Sequence, residues 1–205
     1  MSVGKPNKTL TAKTPRIRRP KLSSIRTSQT DPLQIATLNV GDRGGAIGVT
    51  FAPGKKQSIA MTGAWYRDLD ADLEAIRAWG AGYLITLLEP QELVELSIQA
   101  LPERAAAAEL RWYSLPIADG SAPDGRFLES WQNLGPLFVA ALQNGERLVV
   151  HCKGGLGRAG TIACLLIMNS EITTDVNEAI SRVRAARPGA IETPEQEVFL
   201  RTLRN

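Results

Sequence analysis

Hydrophobic positions along the chain fall into short runs separated by turn residues, and the spacing inside each run tells strands from helices. Residues 35–40 and 47–51 read as two short strands joined by the turn Gly41-Asp42-Arg43-Gly44-Gly45. Pro53-Gly54-Lys55-Lys56 reads as a further turn. Across residues 68–79, Leu69, Leu73, Ile76 and Trp79 recur as on one helical face, and Gly80 and Gly82 stop that helix. Residues 83–88 are a continuous apolar run, the pattern of a strand buried on both faces. Residues 91–100 and 103–110 predict helices, 111–115 a strand, and 119–125 a polar loop. A helix over 128–143 should be bent or restarted by Gly135-Pro136. Residues 147–151 predict a strand, followed by a glycine-rich loop and an apolar helix over 159–168. An amphipathic helix over 175–186 opens with Asp175 and Glu178 spaced as a capping box, and 194–203 predict the last helix. Strands alternating with helices predict an α/β fold, a single domain whose largely parallel central sheet is flanked by helices on both faces.

Charge divides the chain in two. Residues 1–30 hold eight bases and no acid, whereas the remainder carries 16 bases against 21 acids. A basic stretch with little apolar content predicts a flexible tail over 1–32, ahead of a folded domain over 33–205. Such a tail suits an acidic partner; no stable nucleic-acid binding and no membrane span are expected. The chain has two cysteines, Cys152 and Cys164, and one histidine, His151. That is too few for a disulfide framework or a His/Cys metal centre, and a thiolate nucleophile would need a reducing, cytoplasmic setting. No metal and no cofactor are expected.

The chemistry concentrates in His151-Cys152-Lys153-Gly154-Gly155-Leu156-Gly157-Arg158-Ala159-Gly160-Thr161. A cysteine ends a buried strand, and five residues later an arginine opens a helix. Glycines let successive N–H groups turn inward, making an anion nest to which the helix N-terminus adds partial positive charge. Lys153, Gly154, Gly155, Leu156 and Gly157 would line a phosphate cup, and Arg158 would close it with two parallel hydrogen bonds. The same field favours the thiolate of Cys152. Gly155, Gly157 and Gly160 also fit a dinucleotide GxGxxG. Asp175, the acid that reading needs, falls at a helix start, where a second strand end is required, and too few residues follow for a dinucleotide fold. A Walker loop is excluded, because Gly-Lys-Ser/Thr is missing.

His-Cys, five residues and Arg resemble the signature of protein tyrosine and dual-specificity phosphatases. Within that superfamily, four stretches resemble the cyclin-dependent-kinase-associated phosphatases (the cyclin-dependent kinase inhibitor 3 family). They are Ala52-Pro53-Gly54-Lys55; Leu115-Pro116-Ile117-Ala118-Asp119-Gly120 with Pro123-Asp124; the His151–Gly160 loop; and Arg187-Pro188-Gly189-Ala190-Ile191. His-Cys-Lys and Arg-Pro-Gly are also similar to the Cdc-type cell-cycle phosphatases. The resemblance implies a dual-specificity-phosphatase-like fold and metal-free hydrolysis of a phosphoprotein, on tyrosine, serine/threonine or both. Cys152 would be the nucleophile, Arg158 the clamp and Asp119 the general acid, with Asp124 in reserve. In the region where such phosphatases place a water-positioning glutamine stand Glu192 and Gln196, of which Gln196 is the candidate. Where they carry Ser or Thr after the arginine, this chain has Ala159, and Thr161 lies two residues further on. A catalytically weak phosphate-binding module and a phosphoinositide phosphatase are the alternatives. His151 is expected to support the loop, Cys164 and the four tryptophans to lie in the core, and Arg67 to lie on the surface or meet substrate.

Overall fold

The computed structural model describes residue 1, residues 25–60 and residues 63–203. Most of the expected basic tail lies outside the described residues. In chain order the elements are β1 (Ala36–Val40), β2 (Gly45–Phe51), β3 (Lys56–Gln57), β4 (Trp65–Tyr66), α1 (Leu69–Ala78), β5 (Tyr83–Thr86), α2 (Pro90–Glu95), α3 (Leu101–Ala107), β6 (Arg111–Ser114), α4 (Gly125–Gln143), β7 (Arg147–Cys152), α5 (Gly157–Asn169), α6 (Val176–Ala186) and α7 (Pro194–Thr202).

The main sheet has the order β1-β2-β7-β5-β6. Only β1 runs antiparallel, paired to β2; β2, β7, β5 and β6 are parallel. Strand periodicity sorts the core. Leu148 and Val150 of β7, with Tyr83 and Ile85 of β5, face one side, where α4, α5 and α6 contribute Phe138, Ile162 and Val183. Val149 and Leu84 face the other, against Leu73 and Ile76 of α1 and Leu101 and Ala105 of α3. Helices therefore cover both faces, as the alternating pattern predicts. Because four strands run parallel, the loops after β2, β5, β6 and β7 emerge at one edge of the sheet, where open α/β folds place their sites.

Four local expectations are corrected. Helix α4 runs unbroken through Pro136, because Phe127, Trp131, Phe138, Ala141 and Leu142 form one buried face on both sides of it; packing outweighs the lost hydrogen bond. It also starts earlier, at an Asp124 N-cap. The helix expected over 91–100 stops at Leu96, followed by Ser97 at φ +57°; this turn buries Leu96 and Ile98 against Ala52 and Leu88. Asp175 does cap α6, but Glu178 accepts from Thr173 Oγ1 (2.6 Å), so no reciprocal box forms. A capping box instead opens α7, from Thr193 and Gln196.

Arg67 is neither on the surface nor a substrate contact. It is buried, with Nε and Nη2 each 2.7 Å from the two carboxylate oxygens of Asp72. Its Nη1 donates to the carbonyls of Thr27 and Asp31, and Arg26 exchanges backbone bonds with Ala64 and Tyr66. Residues 26–31, assigned to the tail on composition, are thus tied to the domain.

Candidate active site

The site is assembled from the four loops at the carboxyl edge of the parallel strands. Cys152 is the last residue of β7, paired in register with Phe51 of β2. The chain then turns through residues 153–156 into α5, whose first two residues are Gly157 and Arg158. Gly155 is at φ +68°, and a Cβ there would lie 2.4–2.5 Å from the Thr50–Phe51 backbone, so the turn requires glycine. Its N–H donates to Cys152 Sγ at 3.2 Å. From behind, Arg187 Nε donates to Gly155 O (3.0 Å) and Nη2 to Gly154 O (3.4 Å). These bonds hold both carbonyls on the Arg187 side of the loop while the Gly155 amide turns to the sulfur, which gives the Arg-Pro-Gly stretch its physical role. Lys153 stands at the rim, 3.7 Å from Glu95.

Arg158 is 3% exposed, and both of its terminal nitrogens are hydrogen-bonded. Its Nη1 and Nη2 grip the two oxygens of Glu92 (2.6 and 2.8 Å), Nη1 also donates to Ile117 O (2.9 Å), and Nη2 to Asp119 Oδ1 (2.7 Å). Burial alone would push the Glu92 carboxyl up. The hydrogen bonds and charge of Arg158, with the Glu89 amide, outweigh it and hold Glu92 below the usual carboxylate range. Burial likewise opposes the Arg158 charge, and Glu92, the Cys152 thiolate and Asp119 more than restore it. Glu92 is the residue that sequence reasoning missed. Its spacing from Glu89 marks a helix start, but nothing local says that its carboxylate turns inward to orient an arginine 66 residues away.

The two carboxylates of the 119–125 loop separate cleanly. Asp119 points to Arg158 with its side chain 63% exposed. Asp124 caps α4, accepting from Phe127 N (3.0 Å) and Arg126 Nε (2.9 Å). These bonds, the Phe127 amide foremost, hold its carboxyl below the usual range. Asp124 is thus committed to the helix start, whereas Asp119 faces the loop through Arg158.

Residues from the start of α7 close the far side. Glu192 Oε2 accepts from Gly157 N at 2.7 Å. The amide expected to face a phosphate oxygen therefore carries a carboxylate at the helix N-terminus. Gln196 lies against Gly157, where an added Cβ would be 3.0 Å from both of its amide atoms. Its Oε1 accepts from Glu192 N, and its Nε2 donates to Ser121 O (3.1 Å), joining α7 to the loop that carries Asp119.

His151 is buried, and its side-chain bond runs across the sheet to β5. Trp112 Nε1 donates to Thr86 Oγ1, which is 2.7 Å from His151 Nε2. The Nδ1 of His151 is buried without a hydrogen-bond partner among the described residues. Burial drives the His151 pKa down to about 3, so the ring stays uncharged at neutral pH. Thr161 does not replace the hydroxyl missing at Ala159: its Oγ1 donates to Gly157 O four residues back. Cys164 is buried in α5, and burial pushes its thiol up to about 12. Among the described residues no group of three or more His, Cys, Asp or Glu side chains is placed to hold a metal ion, and no helix is long and apolar enough to cross a membrane.

A cysteine at a strand end, an arginine at the following helix start and a glycine nest between them form a cysteine-phosphatase loop. A family model described as "PTP-SAK: Swiss Army Knife protein, DSP-PTPase phosphatase domain" matches residues 67–200. The chain belongs to this family. The matched span takes in Glu92, Asp119, the whole loop and Gln196, while Lys55 lies before it. Among curated relatives of this DSP-PTPase domain, cyclin-dependent kinase inhibitor 3 of Mus musculus is 29% identical over 140 residues, 68% of this chain and 64% of the mouse protein. The chain thus spans just under two thirds of the mouse relative. The Sus scrofa counterpart is 27% identical over 198 residues, 89% of this chain and 90% of the pig protein. A crystal structure of kinase associated phosphatase, its catalytic-site cysteine replaced by serine, has a TM-score of 0.74 at 25% identity, covering 85% of this chain and 95% of that one. Tk-PTP in its active form shares the fold, with a TM-score of 0.59 at 24% identity over 81% of this chain.

Proposed function

We propose that this chain is a metal-independent protein phosphatase that hydrolyses phosphotyrosine, phosphoserine/threonine or both through a cysteinyl-phosphate. The observation that carries the reading is Cys152 and Arg158 at the two ends of one glycine nest, with Asp119 2.7 Å from the arginine. Cys152 Sγ attacks phosphorus, and the bond to the leaving oxygen breaks as Asp119 delivers its proton there. The inward amides and Arg158 stabilise charge on the transferring oxygens. Water then attacks the cysteinyl-phosphate, giving its proton to Asp119 and releasing phosphate and the Cys152 thiolate. Gln196, beside Gly157 and bonded to the Asp119 loop, is the side chain suited to orient that water. Both cysteines are free thiols, and a thiolate mechanism favours a reducing compartment such as the cytoplasm. The similarity to cyclin-dependent kinase inhibitor 3 supports a phosphoprotein substrate, and the basic segment ahead of the domain suits an acidic partner.

The acid assignment is tested by hydrolysis of para-nitrophenyl phosphate with a chelator present, comparing Asp119→Asn with Asp124→Asn. Asp119→Asn lowers kcat by about 10² or more. Asp124→Asn keeps a good N-cap and leaves kcat within about twofold. The reverse ranking would move the acid to Asp124.

A further inference from the structure

Lys55 follows β2, on the edge that carries the site. Its backbone turn is fixed: Gly54, at φ +70° and packed on Leu69, donates its N–H to Asp72 Oδ2 at 2.8 Å. The turn folds the lysine back over Phe51, the register partner of Cys152. Lys55 is 5% exposed. Its Nζ lies 4.7 Å from the Phe51 ring centroid and 4.3 Å from that of Trp65, and donates to Lys153 O at 3.3 Å. The ammonium has three donors and, among the described residues, one hydrogen-bond acceptor.

Two other cations share these rings, and each has its own carboxylate. Arg67 lies over Phe51 and Trp65 and is held by Asp72. Arg26 lies over Trp65, 3.8 Å from Asp31. Lys153, on the loop, is opposite Glu95. Lys55 forms no ion pair with a carboxylate among the described residues. A buried cation without an anion is costly, and its own residue contacts lead to Lys153, the neighbour of the nucleophile. We propose that Lys55 is the counter-charge of the Cys152 thiolate, a positioning residue that holds the nucleophile ionised where Ala159 offers no hydroxyl. The inference rests on the phosphatase reading of Cys152.

The electrostatics agree with the geometry. Burial first, then the charge of Arg67, lowers the Lys55 pKa to about 8; the Cys152 thiolate opposes this, while Arg26 and Lys153 add to it. The sign follows. Below about pH 8 Lys55 is protonated and supports the thiolate; above it the ammonium is lost and so is the support.

The test is the rate at which iodoacetamide alkylates Cys152 between pH 5.5 and 9.5 in the full chain, wild type against Lys55→Met and Lys55→Arg. Cys164, buried and with its thiol near 12, stays silent. At pH 6, Lys55→Met lowers the rate roughly tenfold, Lys55→Arg restores most of it, and the variants converge above pH 8. Lys55→Met also melts no lower than wild type, since it replaces a buried ammonium that has no carboxylate partner with an apolar side chain of similar length. Wild-type alkylation by Lys55→Met across the range overturns the proposal, as does unchanged alkylation with a raised KM for a phosphopeptide, which would make Lys55 a substrate contact. A Lys55-dependent alkylation rate in a wild-type chain that releases no phosphate would uphold the counter-charge and refute the phosphatase reading alone.

Discussion

Cys152→Ser lowers phosphate release from a phosphotyrosine peptide by more than about 10⁴-fold, while the protein stays folded and still binds orthovanadate. The expectation follows from how the loop divides its labour. Binding belongs to the amides, the α5 N-terminus and Arg158, none of which the substitution touches. Attack belongs to Sγ alone, held at the end of β7 by the Gly155 amide at 3.2 Å. A serine hydroxyl in the same position stays protonated near neutral pH, and His151, buried and bonded through Nε2 to Thr86, is not placed to activate it. A loss of less than tenfold in steady-state phosphate assays would put the nucleophile elsewhere.

Glu92→Ala is expected to damage fold and activity together. Arg158 and Glu92 form a two-point ion pair with side chains only 2% and 7% exposed. Removing the carboxylate leaves a buried guanidinium held by backbone carbonyls and the exposed Asp119, a change that typically costs about 3 kcal/mol or more. The clamp also loses the group that fixes its plane, so kcat falls by about 10² or more. Glu92→Gln keeps the shape and an acceptor oxygen, and should recover part of the stability and less of the activity. Urea unfolding and steady-state kinetics on the two variants check this. A Glu92→Ala protein with wild-type stability and kcat would show that the pair is dispensable.

The parts of this fold that were legible in the sequence were those that repeat or that punish substitution locally. The apolar runs at 83–88 and 147–151 gave buried parallel strands because both faces of the sheet are covered, and the cysteine–glycine–arginine loop announced itself because its backbone tolerates few other residues. What stayed hidden depends on contacts far apart in the chain. Glu92 looks like any first-turn acid of a helix, and only the folding of α2 over the β7–α5 loop brings it to Arg158. Lys55 stood inside a family-like stretch and looked like a turn residue, until β2 pairing beside β7 buried it beside the nucleophile strand. Pro136 failed as a breaker because a buried face outweighed one lost hydrogen bond, and Asp175 failed as a box because Thr173 took its partner. The resemblance ranked Asp119 ahead of Asp124, and their different surroundings became visible only in space, where one meets Arg158 and the other caps α4.

The reading rests on a covalent intermediate at Cys152, and Ala159 makes that intermediate easier to see. A hydroxyl after the arginine would support the departing thiolate; this chain has a buried methyl there and a Thr161 hydroxyl committed to Gly157. The most direct measurement is therefore acid quenching of the full chain during turnover of a phosphotyrosine peptide, with a chelator present, followed by mass analysis of the peptides that contain cysteine. A phosphoryl group on the peptide bearing Cys152, absent in Cys152→Ser and transient in wild type, is the predicted result. Phosphate release with no adduct on Cys152 at any quench time, and the same release from Cys152→Ser, would contradict it.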